Sequence, residues 1–285
     1  MENDERNKYL EAQGIWDSLE TVEPTWKTDE VSHKKTQYSS DLVTVEEFIH
    51  FLTNNQRVQS QNYEVFESQS NTLLQDRITH FFKCCLKRNE KLQSLELEQQ
   101  KSLIFKVSRT QLLENEERMY YNVLLTLYKQ LTGNRFDVPR YGCHWEDIGF
   151  QGNDPATDLR GVGLLGLVQP LYLVMNSDYK RMALDFFQIS ISESQNFPFL
   201  VLSLNATRIA FTALRDGLLN SLCNQKCDAW KAVNTFYVSI IYRIYHLWKS
   251  KGLTIRDSGY VLKEVEDYSR KYVTSTITDL ENYTK

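Results

Sequence analysis

The sequence predicts an all-α fold, a single multi-helix domain interrupted by one Gly-rich irregular segment and preceded by a helical extension. Three observations lead there. Apolar residues recur every three or four positions along most of the chain, sustained period-two alternation is absent, and much of the glycine is gathered between His144 and Leu167. The 285 residues suffice for a substantial core. They divide into an N-terminal extension over 1–115, partly disordered and then helical, a main domain over 116–275 and a C-terminal tail over 276–285.

The extension starts polar, with Trp16 and Trp26 as isolated anchors able to dock on the domain that follows. Val43 to Leu52 supports a short amphipathic helix, and residues 53–71, rich in Asn, Gln and Ser, a connector. Leu74, Ile78, Phe81, Phe82 and Cys85 form one helical stripe that ends near Asn89. The next stretch, to about residue 115, is charged and reads as a surface helix. Met119, Val123, Leu124, Leu127, Tyr128 and Leu131 repeat the helical spacing, and Gly133 stands where a C-terminal cap belongs. Pro139 and Gly142 then mark a loop. Asp154-Pro155 opens a helix, an N-cap oxygen followed by a first-turn proline, but Gly161 and Gly163 leave it only about one turn.

Beyond the glycines, Leu164 to Met175 reads as a buried helix interrupted at Pro170, and Arg181 to Ser194 as another built on Met182, Phe186, Phe187 and Ile189. Leu200 to Leu222 carries Ile209, Phe211, Leu214, Leu218 and Leu219 up to a turn near Asn224. The clearest stripe of all is Trp230, Val233, Tyr237, Ile240, Ile241, Ile244, Tyr245 and Trp248, which predicts a central helix stopped by Gly252. Ser258 to Lys271, through Val261, Leu262 and Val265, is the last helix expected.

Composition narrows the function. A formal net charge of -4 gives no overall positive field for a polyphosphate, so nucleic acid is a poor candidate partner. Met1-Glu2-Asn3-Asp4-Glu5 has neither a basic start followed by an apolar core nor a glycine at position 2, so neither a signal peptide nor myristoylation is expected. The apolar runs are too short for a transmembrane segment, which needs about 20 residues. Cys84, Cys85, Cys143, Cys223 and Cys227 lack the spacing of a disulfide framework and fit a reducing, cytoplasmic compartment. Asn205-Ala206-Thr207 matches a glycosylation acceptor, read here as chance or a local cap.

No Walker-type phosphate loop occurs. Gly161-Val162-Gly163-Leu164-Leu165-Gly166 matches the dinucleotide pattern literally, but no strand precedes it. Cys143, His144, Cys223 and Cys227 do not make two tight ligand pairs, so buried thiols are preferred to a zinc-supported domain and no metal is expected. The scattered histidines assemble no hydrolase triad.

Arg160 differs from these. It stands on glycine-flanked backbone, with carboxylates before it and apolar residues after it. Such an arginine can be presented to another molecule's phosphates as a planar, permanently charged donor. It can equally pair with Asp154, Asp158 or Glu146 and tie its own loop down. Trp145, Ile148 and Phe150 read as the apolar backing of the loop, and Gln151 either satisfies loop backbone or orients a catalytic water or a partner's glutamine.

The run Trp145-Glu146-Asp147-Ile148-Gly149-Phe150-Gln151-Gly152-Asn153-Asp154-Pro155-Ala156-Thr157-Asp158-Leu159-Arg160-Gly161 closely resembles the signature of the ELMO domain, the engulfment-and-cell-motility module. The continuation to Leu167, Phe197-Pro198-Phe199, Asn205-Ala206-Thr207 and Asp257-Ser258-Gly259 extend the likeness, which runs from about residue 118 to 272. It is greatest to the compact ELMO domain-containing proteins, the third vertebrate type in particular. The resemblance implies a GTPase-activating protein for Arf and Arf-like small GTPases, an enzyme regulator rather than an enzyme. It implies Arg160 as the catalytic arginine, with Trp145, Gly149, Phe150, Gln151, Gly152, Asp154, Thr157, Asp158 and Gly161 binding the partner or supporting the loop. It also implies no cofactor of its own, GTP and Mg²⁺ being held by the GTP-bound partner, and a cytoplasmic protein open to peripheral membrane recruitment through that partner or to cytoskeletal association. Many relatives have Phe where this chain has Leu159. The engulfment scaffolds use a related domain for assembly, which leaves a non-catalytic adaptor that binds small GTPases or a cytoskeletal complex as the second reading.

Overall fold

A computed structural model describes residues 42–61, 90–112 and 118–285. Among these residues there is no strand, and helices pack around one core. Helix α1, Val45–Asn54, opens on a capping box in which Glu47 N–H donates to Thr44 and Thr44 N–H to the Glu47 carboxylate, and it buries Val45, Phe48 and Leu52. Asn55 ends it and caps the short α2, Gln56–Gln59, whose Val58 is fully buried. The expected connector over 53–71 is thus helical where it is described. The expected anchors Trp16 and Trp26, the stripe Leu74 to Cys85 and the adjacent thiols Cys84 and Cys85 lie outside the described residues.

Helix α3, Leu95–Arg109, corrects the expectation of a surface helix, because Ile104, Phe105 and Val107 are buried in the common core. Its charged residues disguise an apolar face that begins at Leu97 and is densest in its second half. Helix α4, Arg118–Thr132, follows its stripe and ends at Gly133, whose N–H donates to the Lys129 carbonyl and whose positive φ turns the chain out of the helix.

Helix α5, Leu165–Met175, runs through Pro170 instead of breaking there. The proline forfeits one backbone bond, but every residue from Leu165 to Leu171 is buried, and that packing holds the helix together. Helix α6, Ser177–Ser190, begins earlier than expected because Asn176 accepts from Asp178 N–H as its cap. The long helix expected from Leu200 is divided into α7, Phe199–Arg215, and α8, Asn220–Lys226, with the break at Gly217 in the left-handed region. Asn205 lies inside α7, its amide donating to the Val201 carbonyl, so the acceptor-like triplet is not a cap.

Helix α9, Ala229–Lys251, is the central helix, capped by Asp228 and stopped by Gly252 in the left-handed region. It is packed against α3, α7, α8 and, beyond Gly252, against α10, Ser258–Lys271. A further helix, α11, Val273–Thr284, follows where a tail was expected and lies along α9 with Thr276, Ile277 and Leu280 buried. Its widely spaced apolar residues make too faint a stripe to read. Helix α5 lies between α4, α6 and α7, so the Gly-rich segment just before it is seated on the core.

One core residue stands out, because both of its polar atoms are without a partner among the described residues. Gln169 on α5 is fully buried, and neither of its amide atoms has a hydrogen-bond partner among the described residues. A buried amide without partners costs about 1–3 kcal/mol. Gln169→Met, which keeps the length and removes the polar atoms, should therefore raise the free energy of unfolding by about that amount. Chemical denaturation of the two proteins would read it.

Candidate functional site

The candidate site is the segment from Arg140 to Leu165, and it is built on buried aromatic residues. Trp145, in the 3₁₀ helix Cys143–Ile148, is fully buried; its indole N–H donates to the Arg140 carbonyl, and the rings of Tyr128 and Phe150 meet it edge-on. Tyr128 also donates its hydroxyl to Asp147. From this base the chain turns at Gly149, with φ of +87°. A Cβ there would lie 2.2 Å from the backbone nitrogen of Phe199 at the start of α7. Only glycine allows that approach. The Gly149 carbonyl accepts from Val201 N–H at 3.0 Å, which completes the junction.

Across the loop, Arg140 pairs with Asp154 at 2.9 Å, and Gly142 N–H donates to the Asn153 carbonyl. Asp154 also caps the second 3₁₀ helix, Pro155–Gly161, by accepting from Ala156 N–H, while Thr157 donates its hydroxyl to the Asp154 carbonyl. The expected N-cap and first-turn proline are both present, and the element extends past the single turn expected. Gly161 stays within it because its φ is not positive; the left-handed turn comes at Gly163. A Cβ at Gly163 would lie 2.5 Å from the Ser108 carbonyl oxygen. Beside it Leu164 N–H donates to the Thr110 carbonyl.

Leu159 is fully buried beneath this helix, whereas Arg160, the next residue, is exposed. The Arg160 carbonyl accepts from the Gln111 side chain at 3.4 Å, so its backbone is tied to the end of α3. Among the described residues its guanidinium makes no ion pair. Of the three carboxylates considered as its mates, Asp154 is taken by Arg140, Glu146 is exposed, and Asp158 accepts from Gln151 N–H at 2.6 Å. Asp158 is raised to about 6, chiefly by desolvation; the neighbouring Asp154 charge pushes the same way, and the Gln151 N–H bond and the Arg160 charge oppose it.

Every sequence-predicted site residue falls in this one segment, in two groups. Trp145, Gly149, Phe150, Asp154 and Asp158 hold the segment together; Gln151, Gly152, Thr157, Arg160 and Gly161 reach its surface. A Cβ at Gly152 or Gly161 would meet nothing within 4 Å, so the backbone there is open to another molecule. Sequence reasoning missed Arg140, Gln111 and Gly163 as supports. Only Gly163 carried a signal, as a glycine where a turn was needed. Beside the segment lies a groove of about 310 Å³ whose walls include Phe150, Phe197 and Phe199, with Ile191 and Ile255 exposed at its rim.

No group of three or more potential metal ligands occurs among the described residues. Cys223 is buried, its thiol pushed up to about 11 by desolvation, and Cys143 and Cys227 are exposed. A 3₁₀ helix, not a strand, precedes Gly161-Val162-Gly163. No single helix among the described residues is long and apolar enough to cross a membrane; Pro155–Gly161 and α5 meet at a bend of 106°.

The ELMO/CED-12 family model matches residues 103–262. Over 171 residues the chain is 44% identical to ELMO domain-containing protein 3 of Bos taurus and to that of Homo sapiens, which covers 60% of this chain and 45% of each relative. The Mus musculus protein of the same name is 35% identical over 275 residues, 96% of this chain and 69% of that relative. No solved structure matches the chain.

Two predictions follow from this geometry. Gly149→Ala forces a side chain into the Phe199 backbone and should cost at least about 3 kcal/mol of stability, whereas Gly152→Ala, with φ of +80° but open space, should cost only about 1–2 kcal/mol. Thermal unfolding of the pair separates close approach from backbone strain. For Asp158 the folded state holds a proton that the unfolded chain has already released between about pH 4 and 6. The stabilisation this gives is fully present below the unfolded value and is lost as pH rises through about 6. Asp158→Asn, which does not titrate, should therefore gain stability relative to the parent between pH 4 and pH 7 in denaturation experiments.

Proposed function

The chain belongs to the ELMO/CED-12 family, and from that premise we propose that it is a GTPase-activating protein for an Arf or Arf-like small GTPase, supplying Arg160 to the partner's bound GTP. The observation that carries this reading is the contrast within one dipeptide. Leu159 is sealed in the core and Arg160, fixed by it, points a permanently charged planar donor into solvent. Gly152 and Gly161 leave open backbone on the approach, and the groove rimmed by Ile191 and Ile255 offers apolar contact beside it. The match covers less than half of the bovine and human relatives, and the activity proposed is that of the segment in hand.

In this mechanism the partner holds GTP, Mg²⁺ and the nucleophilic water. Negative charge builds on the phosphate oxygens as the bond to the leaving GDP lengthens, and the guanidinium neutralises it. An arginine so placed is worth about 10³ to 10⁵ in rate, or roughly 4 to 7 kcal/mol. The scaffold contributes by holding the arginine's backbone still. Its N-cap, buried leucine and Gln111 tether are formed before the partner arrives, so little ordering is left to the encounter.

Arg160→Lys keeps the charge but loses the fork. In single-turnover GTP hydrolysis against a panel of Arf-family proteins, the variant should lose 10³-fold or more of the stimulation given by the parent, while its binding to the GTP-loaded partner persists. Undiminished stimulation by a folded Arg160→Ala protein would refute the assignment and leave a docking module.

A further inference from the structure

We propose that Gln151 is a second catalytic group delivered in trans, its amide positioning the water that attacks the γ-phosphorus while Arg160 neutralises the phosphate oxygens. This rests on the reading of Arg160 given above and adds a residue to it. Gln151 is exposed, and its side-chain amide makes no hydrogen bond to any described residue, so it neither supports the loop nor caps a helix.

Its backbone, by contrast, is held from three directions. Phe150 before it is buried against Trp145, with Phe150 N–H on the Trp145 carbonyl at 3.1 Å. One residue further back, Gly149 is pressed onto α7. Gln151's own N–H lies 2.6 Å from the Asp158 carboxylate, a short charge-assisted bond. Rigid backbone under a side chain with no structural task is the arrangement that presents a side chain to something else.

The same carboxylate connects the two exposed groups. Asp158 holds Gln151 through its oxygen and stands two residues before Arg160 in one 3₁₀ helix, close enough to feel its charge. Gln151 and Arg160 are thus fixed to each other through a single clasp. Their chemistry is complementary: a carboxamide offers an acceptor for a water proton and a donor for a phosphate oxygen, and a guanidinium offers donors only. In the step, the water oxygen forms a bond to the γ-phosphorus and the bond from that phosphorus to the β–γ bridging oxygen breaks. GDP leaves with that electron pair, and the water's proton ends on the inorganic phosphate. Gln151 orients the water and gains or loses nothing.

The test is single-turnover hydrolysis by a responsive Arf-family partner at varied activator concentration, with Gln151→Ala and Arg160→Lys beside the parent. Gln151→Ala should lower the maximal stimulated rate about 10²-fold, leave the half-saturating concentration within about threefold and leave the melting temperature unchanged. The parent should also accelerate a partner whose own water-orienting glutamine is replaced by leucine, and Gln151→Ala should not. An unchanged maximal rate for Gln151→Ala, or a change confined to the half-saturating concentration, would overturn the proposal while Arg160's role stood. Failure of the parent on the leucine partner would overturn it too. An undiminished Arg160→Lys would instead remove the reading beneath it.

Discussion

Two glycines pressed against other backbones hold the segment that carries Arg160. At Gly149 the chain touches the first residues of α7, and at Gly163 it touches the carbonyls that end α3. Each contact is closer than any side chain permits, and each is fastened by a backbone hydrogen bond, Val201 N–H to Gly149 and Leu164 N–H to Thr110. The span between them is therefore clamped at both ends to helices that pack on the central α9. An irregular segment so anchored can be as stiff as a helix while keeping freedom to display side chains that a regular surface would space by turn geometry.

Between the clamps, polar groups divide into those that bind the segment to itself and those left to solvent. Asp154 receives both Arg140 and an amide of the helix it caps, and Asp158 receives the Gln151 amide. Because Arg140 occupies Asp154, one carboxylate that could compete for Arg160 is already engaged. Burial makes Asp158 a weaker attractor than an exposed carboxylate, since the medium that lifts it to about 6 also disfavours its charge. The loop is thus tied down by ion pairing that omits Arg160.

The helices were legible wherever burial has a period. The α9 stripe reads directly because Trp230 to Trp248 face one core, and Gly133 and Gly252 read as stops because a left-handed residue is needed there. What escaped depends on contacts remote in sequence. Pro170 looked like a break because local rules weigh its missing N–H, whereas its buried neighbours decide the outcome. Asp216-Gly217 divides two helices that share an apolar stripe, and α3 hides a core face among charges. In the site, the residue types and the cap at Asp154 could be read from order alone. The link from Arg140 to Asp154 could not, because it spans a loop whose path is set by Trp145 beneath it.

Leu159 is closely packed beneath the residue that the site displays. Its Cδ2 lies 2.9 Å from where a Cβ on Gly166 would be, and Leu204 and Val162 crowd the same point from other sides. These aliphatic neighbours share the space under the 3₁₀ helix and leave it filled, with Leu159 itself fully buried. The direction in which Arg160 leaves the surface is set by this buried neighbour together with the Asp154 cap, the fixed φ of Pro155 and the Gln111 tether to its carbonyl.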